Sequence, residues 1–487
     1  MSAYIMRAKE INPLVNAIVG EQYHLALRKA QELDRTLDNL SATEIEEKFS
    51  AKHKPLLGVP LSVKEAFAWI GMTNCSGVPS RKHIRSTYDA PVLKNLQDAG
   101  AIPFIHTNVS EACMWFESSN YVFGCTNNAY DTTRIVGGSS GGEGCVISAG
   151  AAVIGIGSDI GGSIRMPCFF NGIFGHKPSV GVVENKGQFP IASEKALPLL
   201  QTGPMCRYAS DLIPELRAMA GEEGAAKLQL DTKVDLSRLR VISVPDDDGG
   251  LMVSKVDPQL KEAQRKVCEF LASKGACVEE RKFHKFRMAL DMWTGLMNLS
   301  DETKFAKIIA GENPKPVNCI LELGKSAIGM SKHTFPALLL GVVDDFGPNL
   351  TKARDIKAVE ILKKLKKELI EEMKKGKEEN GRQNVDGENE AEGHVGENYQ
   401  GTVLLYPSHP KIAPYHSHPI FTPFNFAYTG LFNALGLPVT QCPLGLSKEG
   451  LPLGLQVVSA PYEDHLSLAV AQALEEKFGG WVNPGSV

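Results

Sequence analysis

The sequence predicts a layered α/β domain, on three observations. The stretch "PLLGVPLSVKEAF" alternates Val59, Leu61 and Val63 with Pro60, Ser62 and Lys64, the period of two that marks a β-strand. "DAPVLKNLQDAGAIPFIHTN" reads as a helix from about Pro91, a stop at Gly100 and a short strand, one unit of an alternating fold. The 487 residues, 43 % of them hydrophobic, suffice for one large α/β core or two to three ordinary domains.

The remaining elements follow in chain order. Arg7, Lys9 and Glu10 interrupt the first twenty residues where a secretory signal needs an unbroken apolar core. Ser41 with Glu44 three residues on predicts a capping box at the start of a charged surface helix, with a buried strand to follow. Lys64 then shares a strand face with Ser62. The apolar run from Cys145 to Gly157 falls short of the roughly 20 residues a spanning helix needs and reads as a buried core helix.

In "FRMALDMWTGLM", Phe286, Leu290, Trp293 and Met297 form one stripe and Met288, Met292 and Leu296 another, so this helix is core or the lining of an apolar pocket. From Thr351 to Lys375, the residues Ile356, Val359, Leu362, Leu365, Leu369 and Met373 predict an amphipathic helix with a lysine-rich outer face. Gly376 to Gln400 carries seven acidic against two basic residues and hardly any apolar ones, which predicts a disordered acidic loop.

Net charge is −4, and that loop accounts for it, so no global field favours nucleic acid. The ten cysteines are scattered without a CxxC pair, a pattern of reduced thiols in an intracellular protein.

Two serine-glycine clusters carry the chemistry: "GGSSGGEG" (Gly137 to Gly144) and "GSDIGGSIRMP" (Gly157 to Pro167). A Walker loop needs Lys after its last Gly, and Glu143 stands after Gly142; a dinucleotide fingerprint needs a third Gly where Ile160 stands. The hydrolase elbow G-x-S-x-G does match at Gly137 to Gly141 and would make Ser139 the nucleophile, with His409, His416, His418 or His465 as base, although "NNAYDTTRIV" is a poor strand to precede it. His409 and the His416/His418 pair lie among prolines with no nearby carboxylate, so a polar loop and no metal is expected there.

The combination of Lys64, "GGSSGGEG", "GSDIGGSIRMP" and "FGHKPS" resembles the amidase signature family, and the similarity runs over nearly the whole chain. The resemblance implies a single large domain spanning 1–487, with a twisted mixed β-sheet flanked by helices on both faces and a signature core at about 55–210. It implies Lys64 as catalytic base, Ser139 as bridging serine and Ser163 as nucleophile, and an oxyanion hole from the amides of Ile160, Gly161, Gly162 and Ser163. Ser140, Asp159 and Arg165 fall on supporting positions. Cys113 and Met114 fall where members border an acyl channel, which turns the Met-rich helix near Trp293 towards channel lining. The resemblance is to the branch that cleaves fatty-acid amides to acid and amine. The family also includes glutamine-hydrolysing amidotransferase subunits, and an inactive lipid-binding member is a third reading.

A lipid amide substrate, no cofactor, no metal and no nucleic acid are implied, and a homodimer and a peripheral membrane contact are compatible. Membrane-type members carry an N-terminal anchor and opening helix, which the resemblance places before the first residue of this chain. The chemistry requires Lys64 to be neutral. Its ordinary pKa is about 10.4, each unit of depression corresponds to about 1.4 kcal/mol against the charged form, and burial works in that direction.

Overall fold

In the computed structural model, which describes residues 1–250, 252–300, 303–377 and 399–486, two apolar layers sandwich one sheet. The strands are β1 (Ile18–Glu21), β2 (Pro60–Lys64), β3 (Ile102–Thr107), β4 (Ser119–Asn120), β5 (Gly124–Cys125), β6 (Ile154–Asp159) and β7 (Phe174–Lys177). They continue with β8 (Gln201–Cys206), β9 (Leu239–Ser243), β10 (Cys277–Glu280), β11 (Gly401–Tyr406), β12 (Val439–Leu446) and β13 (Pro452–Val458). Eleven form one sheet in the order β1-β3-β2-β6-β8-β7-β12-β13-β11-β9-β10, and β4 pairs with β5 separately. The sheet is mixed: β2 runs parallel to β3 and β6, whereas β6 and β8 are antiparallel.

Alternation within single strands shows that both faces are covered. Val403 and Leu405 enter one core with helices Ala209–Ala226, Pro258–Ser273 and Asp464–Phe478. Leu404 and Tyr406 enter the other with Ala289–Asn298, Phe335–Lys374 and Ala427–Leu435. In β2, Leu61 and Val63 join the first core, which leaves Ser62 and Lys64 on the opposite face, also buried.

Local signals produced the local elements. Ser41 and Glu44 form the capping box: Glu44 N–H donates to Ser41 Oγ at 3.3 Å and Ser41 N–H donates to Glu44 Oε2 at 3.0 Å. Helix Pro91–Asp98 ends before Gly100, whose φ of 103° suits glycine. A helix, Ser2–Val15, opens the described chain and buries Ile5, Ala8 and Ile11 in a third cluster with Val146 and Ile147. None of the ten cysteines forms a disulfide.

Three expectations need correction. The apolar run from Cys145 to Gly157 is no single helix: helix Gly141–Ser148 stops, Gly150 turns the chain at φ 73°, and β6 begins at Ile154. Uniform burial hides the change of period, because every residue of both elements is buried. The lysine-rich helix starts at Phe335, well before Thr351, and Ile356 on its expected inner stripe is 45 % exposed while Leu362, Leu365, Leu369 and Met373 are buried. His409, expected in a polar loop, is wholly buried and packs edge-on to Phe170. The acidic tract lies outside the described residues from 378 to 398. Its flanks meet where Tyr399 N–H donates to Gly376 O at 2.6 Å.

Candidate active site

Lys64 ends β2, an interior strand third from one edge of the sheet, and its aliphatic stem and amine are both sealed from solvent. Its Nζ lies 2.8 Å from Ser139 Oγ, 2.9 Å from Ser158 Oγ and 3.4 Å from Ser158 O. Burial drives its pKa below the ordinary lysine value, opposed by the charges of Cys113, Asp159 and Glu143. A neutral amine at this position can accept the Ser139 hydroxyl proton through its lone pair, which an ammonium lacks.

Ser139 sits at the end of the loop that feeds helix Gly141–Ser148, nearly buried. Ser163 follows β6 on the second loop. The two loops are stitched together: Ser140 N–H donates to Ser163 O at 3.2 Å, and Ser158 N–H approaches Ser140 Oγ at 3.4 Å. Ser139 and Ser163 both line one cavity of about 220 Å³, and Ser163 also lines a second of about 370 Å³. Among the described residues no hydrogen bond is formed to the Ser163 hydroxyl. No histidine side chain among them bonds to Ser139 or Ser163, so the elbow reading lacks its base.

The Ser163 loop is held by a buried ionic knot. Asp159 accepts Arg165 Nε at 3.0 Å and one Arg165 terminal nitrogen at 2.9 Å, with Asn433 Nδ2 at 2.8 Å. Burial would raise the Asp159 carboxyl, but the charge and hydrogen bonds of Arg165, with those of Asn433, hold it well below the carboxylate range. The other Arg165 terminal nitrogen donates to Gln456 Oε1 at 2.9 Å.

Asp159 also caps the loop backbone, accepting Gly162 N–H at 2.7 Å and Ile164 N–H at 3.1 Å. The Gly162 amide is thereby engaged, which removes it from the four expected oxyanion donors and leaves those of Ile160, Gly161 and Ser163. Gly162 itself is required: its φ is 127°, and a Cβ would fall 2.1 Å from Thr429 Oγ1. From the opposite side Trp293 Nε1 donates to Ile160 O at 2.7 Å and Thr429 Oγ1 donates to Gly161 O at 2.7 Å.

Cys113 and Met114 line both cavities. Cys113 and Ala112 adopt left-handed φ values of 58° and 52°, a strained turn at the edge of the site. The Met-rich helix divides its residues between the two expected roles. Leu290, Trp293 and Met297 face the cavities, while Phe286 and Met292 are fully buried.

Glu143 is a member of this site that sequence reasoning passed over. It accepts Thr107 Oγ1 at 2.9 Å and contacts Ser62 Oγ, and burial pushes its pKa up to about 8 against those hydrogen bonds and the nearby Lys64 charge. Gly155 makes room for it, since a Cβ there would lie 2.0 Å from the carboxylate. Its place two residues beyond a buried helix start was the available signal. Thr429, Asn433 and Gln456 gave none, because each reaches the site only through the tertiary fold, whereas Ser158 stands inside the Gly157 to Pro167 motif and was passed over there.

A family model described as Amidase matches residues 1–468. Fatty-acid amide hydrolase 2-A of Danio rerio is 48 % identical over 100 % of this chain and 86 % of that protein. Fatty-acid amide hydrolase 2 of Homo sapiens is 47 % identical with the same coverage. A crystal structure of an amidase superposes with a TM-score of 0.72 at 25 % identity, covering 98 % of this chain and 95 % of that one. A buried lysine meeting two stitched serine loops, inside a sheet that superposes on a solved amidase and under a family model that spans almost the full length, establishes that this chain belongs to the amidase family.

Proposed function

We propose that this chain hydrolyses fatty-acid amides, primary amides such as oleamide and N-acyl ethanolamides among them, with the catalytic groups confined to a core at 55–210. Ser163 Oγ attacks the carbonyl carbon while its proton passes to Ser139 Oγ, whose own proton moves to Lys64 Nζ. The tetrahedral oxyanion is met by the amides of Ile160, Gly161 and Ser163, each such donor contributing on the order of 3 kcal/mol. Lys64 returns the proton through Ser139 to the leaving amine, and water then releases the fatty acid by the same relay.

The observation that carries this reading is the 2.8 Å contact of a desolvated lysine with Ser139 at the floor of a cavity shared with Ser163. The lipid substrate is supported by the lining: the second cavity at Ser163 is walled by Trp115, Phe116, Leu290, Trp293, Leu339 and Phe424. A glutamine-sized polar substrate would leave that wall without a partner.

A peripheral lipid contact belongs to the same proposal. Ile320, Leu321, Ile328 and Met330 are exposed beside Phe335, Leu339 and Val343, which continue into the cavity wall. Among the described residues no helix is long and apolar enough to cross a membrane. Vesicle co-sedimentation with and without Ile328→Ser and Met330→Ser, beside sedimentation velocity, separates a lipid contact from pairing of two copies.

The deciding experiment is labelling by a serine-reactive fluorophosphonate. Labelling should vanish in Ser163→Ala with the fold intact and be competed by oleamide, not by glutamine. Labelling that survives in Ser163→Ala and is lost in Ser139→Ala would restore the elbow reading. Competition by glutamine alone would point to an amidotransferase-type substrate, and a properly folded protein that takes no label would be an inactive family member.

A further inference from the structure

Away from the catalytic centre, three chain segments bring different metal-ligand types to one point. Glu117 lies between Phe116 and β4, Cys125 ends β5, and His416 stands in the loop that runs on to Ile420 and Phe424 of the cavity wall. His416 Nδ1 is 2.8 Å from Glu117 Oε1 and 3.4 Å from Cys125 Sγ, and that sulfur is 3.9 Å from the same carboxylate oxygen. One donor atom from each side chain lies within 4.8 Å of the other two. A tetrahedral zinc ion with ordinary bond lengths holds such donors about 3.3–3.6 Å apart, so all three separations are within about 0.6 Å of that arrangement.

The hydrogen bonding fixes which nitrogen faces the other two side chains. His416 Nε2 faces the carbonyl oxygen of Thr132 at 3.2 Å, and since a carbonyl only accepts, Nε2 carries a proton. Nδ1 in turn donates to the Glu117 carboxylate at 2.8 Å, so the ion-free ring is paired with Glu117, and an ion would take the place of the Nδ1 proton between a carboxylate and a sulfur. Backbone N–H of Ser417 reaches both Glu117 oxygens, at 3.3 Å and 3.1 Å, and fixes the carboxylate. An imidazole oriented by a carbonyl and a carboxylate oriented by an amide are the outer-shell devices that preorganise metal ligands.

A Cys-His-Glu nucleophile triad does not fit. It needs the thiol and the acid on opposite ring nitrogens, whereas both here face Nδ1. Nor does the expectation of a metal-free loop survive its own premise, the lack of a nearby carboxylate: the fold supplies Glu117 from 299 residues away in sequence.

We propose that Glu117, Cys125 and His416 bind one divalent transition-metal ion of the zinc class, and that the ion clasps the 416–424 loop to the 113–125 segment along the apolar cavity. Binding breaks the Cys125 S–H bond and the His416 Nδ1–H bond and forms metal–sulfur and metal–nitrogen bonds, both protons leaving to water. Glu117 is nearly buried while Cys125 and His416 are half-buried, so a fourth position stays open to solvent.

The test uses the untagged full chain after chelator treatment, titrated with Co²⁺ alone and then with Zn²⁺. One equivalent of Co²⁺ should produce a thiolate-to-cobalt charge-transfer band that Zn²⁺ displaces, with release of protons from Cys125 and His416 and a rise in Tm. Cys125→Ser should abolish the band, and His416→Ala or Glu117→Gln should weaken binding by more than about 100-fold, beyond the roughly 10–100-fold that loss of an outer-shell partner costs. Far-UV circular dichroism checks each variant, and any that misfolds leaves the decision to the other two. Absence of stoichiometric binding, or well-folded variants that bind like the wild type, overturns the proposal, the latter by placing the ion on other ligands.

Discussion

Trp293 donates its indole N–H to the carbonyl oxygen of Ile160, which ties a helix that walls both cavities directly to the backbone presenting Ser163. The ring therefore has two tasks, shaping the apolar space and setting the position of an amide expected to face the oxyanion.

Trp293→Phe separates those tasks. The smaller ring keeps most of the apolar contact and deletes the hydrogen bond, so kcat for an oleoyl amide should fall on the order of tenfold while KM changes less than about threefold, as displacement of a preorganised donor costs rate. Steady-state kinetics decide it; a change in KM alone would leave Trp293 as lining only.

Lys64→Ala tests the relay through the leaving group. An amine must gain a proton before it departs, whereas an ester alkoxide leaves more readily, so the variant should lose far more kcat/KM on an oleoyl amide than on the matching methyl ester. Because burial lowers the pKa of Lys64, wild-type amide turnover should fall as pH drops through that value and the lysine becomes charged. The profile from pH 6 to 10 on both substrates is the measurement, and equal proportional losses would sink the lysine assignment.

Glu143 should behave as a neutral acid at pH 7, since burial lifts it to about 8. Glu143→Gln then preserves its contacts with Thr107 and Ser62, with activity expected within about threefold. Glu143→Ala leaves two buried hydroxyls only their long contacts, Ser62 Oγ to Ile154 O at 3.3 Å and Thr107 Oγ1 to Val63 O at 3.4 Å, and should cost about 2–6 kcal/mol of stability at about 1–3 kcal/mol for each weakened group. Urea unfolding beside amide kinetics compares the two, and a Gln variant as damaged as the Ala variant would mean that the charge itself is needed.

Lys177 gives a pH dependence of stability. It is fully buried with no hydrogen-bond partner for Nζ among the described residues, and burial, then the Arg165 charge, lowers it to about 7. Between that value and the ordinary 10.5 the unfolded chain binds the proton and the folded chain does not, so this contribution to stability rises with pH and is lost as pH falls towards 7. Lys177→Met should therefore stabilise the protein most at pH 7 and below, by on the order of 2 kcal/mol, with the advantage shrinking towards pH 10. Thermal unfolding of both proteins across that range would show a constant difference if the lysine were charged in the fold throughout.

Legibility followed sequence distance. The Ser41 and Glu44 cap is built from four adjacent residues and could be read directly, as could the Gly100 stop and the face of β2 that carries Lys64. The run through Cys145 misled because burial on all sides erases periodicity, the one cue that separates a helix from a strand there. Asp159 lies two residues from Gly161, yet what holds that loop comes from Thr429, 268 residues on, and from Asn433 and Gln456. Gly162 was assigned with its neighbours because a motif gives order and not direction; its amide turns back to Asp159. Glu117 and His416 had no shared pattern at all.

The position of β12 and β13 has a consequence for how the protein is made. These strands, from the last fifth of the chain, insert between β7 and β11, and the residues that brace the Ser163 loop lie beside them or within them. A ribosome delivers Lys64, Ser139 and Ser163 early, but the nascent chain has a gap in its sheet until Val458 has emerged. A chain that stops short of β12 therefore keeps Lys64, Ser139 and Ser163 yet lacks two interior strands and the Gln456 brace of the Ser163 loop.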